Sequence, residues 1–266
     1  MKSIYSLIVT ASIVLPLLCS CGPKIVQESS NISFDSLSYD TATAIYNGTD
    51  TLSATVHIQL FTAKGTGADA INDSILSSVL SLGDMIPQNL SNEPVKNKVK
   101  TFSQKFITQY QRDCKEAQKA NCLGASFQYS FDIESSVESI SDSIAVYHAE
   151  TFVYMGGAHG SNILTIRNIN TKTGRILEKK DIFKANSDSE LVQLICQDLM
   201  KRFNVKKLNE LQEKGVFMDT KPYVPRNFIL KADSITFVYQ QDEISPHALG
   251  VICATISRRD LSKYMK

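Results

Sequence analysis

Apolar and polar residues alternate along several stretches of the chain, and this two-residue period predicts β-strands. From Leu52 to Leu60 every second residue is apolar, and the stretch from Phe127 to Ile133 repeats the pattern. Asp142-Ser143 and Thr171 to Gly174 are typical of the turns that join neighbouring strands. Further strands are predicted at residues 34–46, 144–155, 163–169, 227–230, 235–239 and 250–256.

Apolar residues at spacings of three and four predict helices between these strands. The first is predicted from Ala68 to Leu82, before Gly83. The second begins near Glu93-Pro94, with Ser91 or Asn92 as its cap. Its apolar stripe consists of Val95, Val99, Phe102, Phe106 and Tyr110.

Two more helices are predicted in the second half of the chain. Ser187 and Glu190 have the spacing of a capping box. The helix that follows has a predicted inner face of Leu191, Leu194, Ile195, Leu199 and Phe203. A short terminal helix is predicted from Leu261 to Met265.

The order of these elements is strands, two helices, strands, one helix and strands. Because several strands follow one another directly, the pattern predicts an α+β fold with mainly antiparallel sheets and helices packed on them. A change in pattern near residues 125–135 predicts two intimately packed subdomains. We expect an N-terminal subdomain at residues 32–130 and a C-terminal one at residues 131–266.

The N-terminus has the composition of an export signal. Lys2 precedes an apolar run, and Leu18-Cys19-Ser20-Cys21 resembles the lipobox of bacterial lipoproteins. The resemblance implies that residues 1–20 are removed and that Cys21 is acylated and anchors the protein in a lipid bilayer. A transmembrane helix is the alternative, but the run is short and contains Pro16.

The predicted anchor places the protein outside the cytoplasm, tethered to the cell envelope at the outer membrane, with a periplasmic or surface face. Residues 21–31 form a polar tether to the folded part. The whole chain has a formal net charge of +1, and removal of Lys2 with the signal leaves none. This neutrality argues against nucleic acid as a partner, since nucleic-acid binding needs clustered positive charge.

Four cysteines remain once the signal is removed and Cys21 is acylated. Export to an oxidising compartment permits disulfides, and Cys114 and Cys122 flank a short segment after a predicted helix. A bridge between these two would connect the helix to the following loop. Cys196 and Cys253 are equally well explained as buried core thiols.

Two loops contain the residues most suited to chemistry. Gly156, Gly157 and His159 lie in one, where His159 is a candidate base or metal ligand; the alternative is a tight turn that requires glycine. Glu243 and His247 lie in the other loop. They are either an acid–base pair or part of an ordinary connection between two strands. A third, weaker alternative is that His148, His159 and His247 converge on one zinc ion. The sequence assigns no catalytic residue, metal site or cofactor.

Three segments between residues 140 and 262 resemble a family of bacterial envelope domains of unknown function. They are Tyr154 to Gly160, Thr171 to Phe183, and Ile235 to Gly250. His247 stands where the family usually has tyrosine. The family is shared with the extracellular part of a lysozyme-binding anti-sigma factor and with the accessory, non-catalytic region of a peptidoglycan deacetylase.

The resemblance implies a non-enzymatic binding or sensing module whose ligand is a protein or glycan, with lysozyme-like proteins and peptidoglycan as candidates. The loops around Gly156–Gly160 and Asp242–His247 are the expected ligand-facing or fold-defining surfaces. The alternative is an envelope hydrolase or metal-dependent enzyme that uses His159, Glu243 and His247. An enzyme would bring these three side chains together in one concave site.

Overall fold

The computed structural model describes residues 31–48, 50–82 and 93–266, and shows an α+β fold with two sheets. The larger sheet has six strands in chain order: β1 (Ile32–Asn47), β2 (Asp50–Gly65), β3 (Tyr129–Ser141), β4 (Ile144–Met155), β5 (Ser161–Asn170) and β6 (Arg175–Leu177). The smaller sheet has three: β7 (Asn227–Leu230), β8 (Ser234–Tyr239) and β9 (Ile252–Ser257). The predicted fold class is confirmed.

The helices are α1 (Ala68–Val79), α2 (Val95–Lys119), α3 (Lys179–Ile182), α4 (Asp188–Arg202), α5 (Leu208–Glu213) and α6 (Arg258–Leu261). A 3-10 turn covers His247–Leu249. None of the helices in the described ranges combines the length and the apolar content that a bilayer crossing requires. The predicted anchor at Cys21 lies outside the described residues.

Adjacent strands are antiparallel except for β2 and β3, which run parallel. A parallel pair needs a long crossover, and α1 and α2 supply it between the two strands. The alternation from Leu52 to Leu60 places each of its apolar side chains at 2% exposure or less. The stripe of α2 is also buried from Val99 to Tyr110. These elements form the N-terminal core, as their periodicity predicted.

The C-terminal core lies between α4 and the three-stranded sheet. Leu191, Ile195 and Leu199 of α4 are fully buried against it. The predicted capping box does not form, because Ser187 Oγ donates to the carbonyl of Lys184 instead of capping α4. A capping box is found at α3, where Glu178 and Asp181 each accept from the other's backbone amide.

The division between the two cores differs from the predicted one at residue 130. That position separates β2 from β3, which are hydrogen-bonded neighbours in one sheet. The cores divide instead between β6 and α3, which gives a first unit at residues 32–177 and a second at 179–266. Local patterning cannot detect this, because sheet membership depends on pairing between distant residues.

Side-chain amides join the two units along a seam between β5 and the smaller sheet. Asn168 Nδ2 donates to the carbonyl of Phe228 at 2.7 Å, and its Oδ1 accepts from the amide of Leu230 at 2.9 Å. Gln240 makes the reciprocal pair with the backbone of Leu164, at 2.8 and 2.5 Å. Each amide imitates a strand neighbour, so the seam satisfies backbone groups that would otherwise be buried without partners.

The C-terminal residues return to the start of the second unit. Phe183 and Met265 form an antiparallel bridge. The amide of Lys184 donates to the carbonyl of Tyr264 at 2.8 Å, and that of Lys266 donates to the carbonyl of Ile182 at 3.0 Å. The two ends of this unit are therefore hydrogen-bonded to each other. The terminal helix α6 begins at Arg258, earlier than predicted.

Candidate functional site

The two loops predicted to carry chemistry lie side by side. His159, between β4 and β5, and His247, between β8 and β9, have ring centroids 4.4 Å apart with planes inclined by 35°. His159 is exposed and donates from Nδ1 to the carbonyl of Gly160 at 3.2 Å. His247 is 40% exposed, and its Nδ1 lies 2.9 Å from Asp242 Oδ2. The structure thus brings together His159 and His247, two of the three residues that the enzyme alternative would use.

Glu243 does not join the two histidines. Its Oε1 accepts from the hydroxyl of Tyr223 at 2.6 Å, and its Oε2 accepts from the amide of Gln240 at 2.6 Å. Burial raises the pKa of Tyr223, and the hydrogen bond to Glu243 raises it further. Both carboxylate oxygens are therefore used to hold the chain between β8 and the segment before β7.

The three histidines proposed for zinc are not assembled either. Across residues 31–48, 50–82 and 93–266, no three His, Cys, Asp or Glu side chains are grouped as a metal would need. His148 lies within β4, opposite Ser136 of β3 and Ile166 of β5. Its position is that of an ordinary strand residue.

The glycines of the first loop each have a separate structural reason. Gly156 has a φ of 86°, and a Cβ there would lie 2.9 Å from the carbonyl oxygen of Ser126. Gly157 has a φ of 98° with open space around it. A Cβ at Gly160 would lie 2.4 Å from the ring of Phe152. These residues define the path of the loop and thereby the position of His159.

Gly156→Ala is expected to destabilise the protein more than Gly157→Ala. Both replacements pay about 1–2 kcal/mol for a side chain at positive φ. Only Gly156→Ala adds the close approach to Ser126, which should cost roughly another 1 kcal/mol or more. Urea unfolding of the two variants measures the difference, with Gly157→Ala as the matched control. Equal losses would contradict the steric role of Gly156.

Exposed apolar side chains lie on the segments next to His247: Leu249 ends its 3-10 turn, Val251 follows that turn, and Met218 lines a cavity with Asp242 and Pro246. Met218, Leu249 and Val251 are 57%, 39% and 43% exposed. The segments that carry them are adjacent, since a Cβ at Gly215 would lie 3.6 Å from Leu249 Cδ1. We call His159, His247, Met218, Leu249 and Val251 the loop surface.

Cys114 and Cys122 are free thiols in the structure, so the bridge considered for them is not formed there. Cys114 faces the N-terminal core from α2 and is 1% exposed, whereas Cys122 is exposed beyond the end of the helix. Burial raises the pKa of the Cys114 thiol. The helix continues through Lys119, which separates the two side chains. Cys196 and Cys253 are also free and partly buried.

Sequence reasoning missed a cavity of about 740 Å³ between β5, β6 and the segment that precedes β7. Arg167 of β5 and Arg226 of that segment both line it. One signal was present: Arg167 is the one charged residue in the predicted strand from Ile163 to Ile169. A charge placed inside a largely buried strand indicates a special environment.

Comparison with known proteins finds a family model that matches part of the second unit. Residues 180–259 match the family described as "Protein of unknown function (DUF3298)". No curated protein matches the chain.

Two solved structures from that family share the fold. One, from Bacteroides fragilis NCTC 9343, is 23% identical, with a TM-score of 0.75 over 90% of this chain and 95% of its own. The other, from Pseudomonas aeruginosa PAO1, is 11% identical, with a TM-score of 0.61 over 90% of this chain and 96% of its own. The likeness extends over both units.

Proposed function

We propose that this protein is a lipid-anchored envelope protein that binds a protein or glycan ligand through its loop surface. The observation that carries the proposal is the contact between His159 and His247, next to segments that carry the exposed side chains of Met218, Leu249 and Val251. Exposed apolar groups beside polar ones are typical of recognition surfaces. Imidazole rings add flat faces that stack on a ligand ring and N–H groups that donate to its oxygens.

The location rests on the lipobox-like Leu18-Cys19-Ser20-Cys21 and its preceding apolar run. Acylation of Cys21 would hold the protein at the bilayer, since two acyl chains anchor stably where one does not. The polar residues 22–31 then separate the folded part from the membrane. Such a protein meets its ligand outside the cytoplasm.

The ligand class is proposed from the family resemblance of residues 154–160, 171–183 and 235–250, which lie in both units. A lysozyme-binding anti-sigma factor and the accessory region of a peptidoglycan deacetylase share the Gly-Gly-Ala-His type of motif found at residues 156–159. This supports lysozyme-like proteins and peptidoglycan as the first candidates.

The enzyme alternative requires Glu243 beside His159 and His247. Its carboxylate is instead held by Tyr223 and by the backbone of Gln240. A general acid or base must lie within hydrogen-bond reach of its reacting partner. The observed contacts of Glu243 therefore favour binding over acid–base catalysis at this surface.

Binding of the acyl-free chain (residues 22–266) to lysozyme and to solubilised peptidoglycan fragments tests the proposal. We expect the double variant Leu249→Ser/His159→Ala to bind at least about tenfold more weakly, a loss of about 1.4 kcal/mol. Biolayer interferometry measures the affinity.

Tyr46→Ser is the matched control. Tyr46 is 77% exposed at the end of β1, a strand that carries none of the loop-surface residues, so its loss should leave the affinity unchanged. Failure of the wild-type chain to bind either ligand, or equal weakening by the Tyr46 variant, would contradict the proposal.

A further inference from the structure

The cavity between the two units has the size of a small-molecule site. Its volume of about 740 Å³ falls in the usual range for ligand pockets. A second cavity of about 320 Å³ shares Arg167, Arg226 and Glu243 with it. Both arginines therefore line both cavities, and a ligand in either cavity would meet them.

Arg167 is held in place entirely by neutral oxygens. Its Nε donates to Ser74 Oγ at 3.1 Å, and its Nη1 donates to the carbonyl of Ile166 at 2.8 Å. Its Nη2 donates to Ser78 Oγ. Ser74 and Ser78 lie one turn apart on α1, so they form one docking face for the guanidinium. A guanidinium has five N–H groups, which leaves donors available for a ligand.

Among the residues that the structure describes, no carboxylate forms an ion pair with Arg167. Burial lowers the pKa of Arg167, and the positive charge of Arg226 lowers it further. Within the described residues, neither arginine forms an ion pair with a carboxylate. Glu243 also lines the cavity, but its oxygens accept from Tyr223 and Gln240. Arg167 and Arg226 therefore line one cavity, and no carboxylate of the described residues is ion-paired with either of them.

The remaining charged groups of the cavity are already paired. Lys179 Nζ lies 2.6 Å from Asp188 Oδ2, and Lys180 Nζ lies 2.7 Å from Glu178 Oε2. Apart from these pairs, the cavity wall carries two arginines and one carboxylate, that of Glu243, so positive charge remains in excess.

Apolar side chains form the rest of the wall. Val224 and Leu177 are partly buried, and Phe228 is 4% exposed. A bound ligand would thus contact guanidinium groups on one side and an apolar surface on the other.

We propose that this cavity binds a small organic anion, with its carboxylate or phosphate group between Arg167 and Arg226 and its apolar part against Val224 and Phe228. The planar fork of arginine matches the paired oxygens of both groups. Binding would neutralise the two arginine charges and join the units at their seam. The site is separate from the loop surface and extends the function beyond ligand recognition there.

The test uses the full chain purified in detergent and titrated with inorganic phosphate or benzoate at constant ionic strength in chloride. Calorimetry and amide NMR shifts report the binding, and the two probes distinguish a phosphate from a carboxylate ligand. We expect one or both to bind at millimolar or lower concentration. Arg226→Gln should weaken binding at least about tenfold.

Arg259→Gln is the matched control, because that side chain is 91% exposed on α6 and does not line the cavity. Arg167→Lys keeps a positive charge but loses the fork, and should also weaken binding. The Arg226 side chain is exposed, so Arg226→Gln should fold normally. Absence of binding by the wild-type chain, or unchanged affinity in Arg226→Gln, would overturn the proposal.

Discussion

Asn168→Ala is expected to lower the free energy of unfolding by about 2–6 kcal/mol. Asn168 is 3% exposed and is hydrogen-bonded to the amide of Leu230 and the carbonyl of Phe228. Alanine would leave both backbone groups buried without partners, and each such group costs roughly 1–3 kcal/mol. Urea unfolding measures the loss, and hydrogen exchange should show the amide of Leu230 losing protection first.

Asn162→Ala is the control for Asn168→Ala, because it removes the same side chain from an exposed position of β5. Its one long hydrogen bond reaches Gln241 Oε1 at 3.4 Å. We expect a change within about 0.5 kcal/mol. If Asn168→Ala were equally mild, the seam would not depend on its side-chain amides.

Phe131→Ala is expected to cost about 3–5 kcal/mol. Phe131 is 1% exposed in β3, and its ring centroid lies 4.6 Å from that of Phe102 and 5.7 Å from that of Phe106. Alanine would leave a cavity between the sheet and α2 and would remove both ring contacts. Thermal and urea unfolding, followed by circular dichroism, measure the effect.

Phe131→Leu separates the loss of the ring contacts from the loss of filled volume. Leucine fills most of the same space, so we expect a cost below about 1.5 kcal/mol. Similar costs for leucine and alanine would show that the ring contacts with Phe102 and Phe106, rather than the filled volume, stabilise this core.

Local periodicity predicted most of the individual elements. The alternation from Leu52 to Leu60 and the stripe from Val99 to Tyr110 depend on burial of one face, and burial leaves a direct trace in the sequence. The short helices α3 and α5 left no such trace, because a helix of four or six residues is too short to show a period. The parallel pairing of β2 with β3 was also invisible, since it depends on residues about 75 positions apart.

The candidate site was partly predictable, because particular residue types marked both of its loops. Glycine spacing marked the loop at residues 156–160, and the Asp, Glu and His residues marked the loop at 242–247. Their contact through His159 and His247 requires the two units to be docked. The cavity was missed because Arg167 and Arg226 lie on different units and meet only across the seam. Whether Cys21 is acylated stays a prediction, as it lies outside the described residues.

The hydrogen bonds that join residues 182–184 to residues 264–266 make the second unit a topologically closed module. Its two termini leave from one place, as they do in domains that tolerate insertion and circular permutation. The segment that matches the family, residues 180–259, falls within this unit. A unit closed in this way can be fused to a different neighbouring domain while its own strand pairing stays the same. In each such fusion, only the residues of the unit that form the seam would have to change to fit the new neighbouring domain.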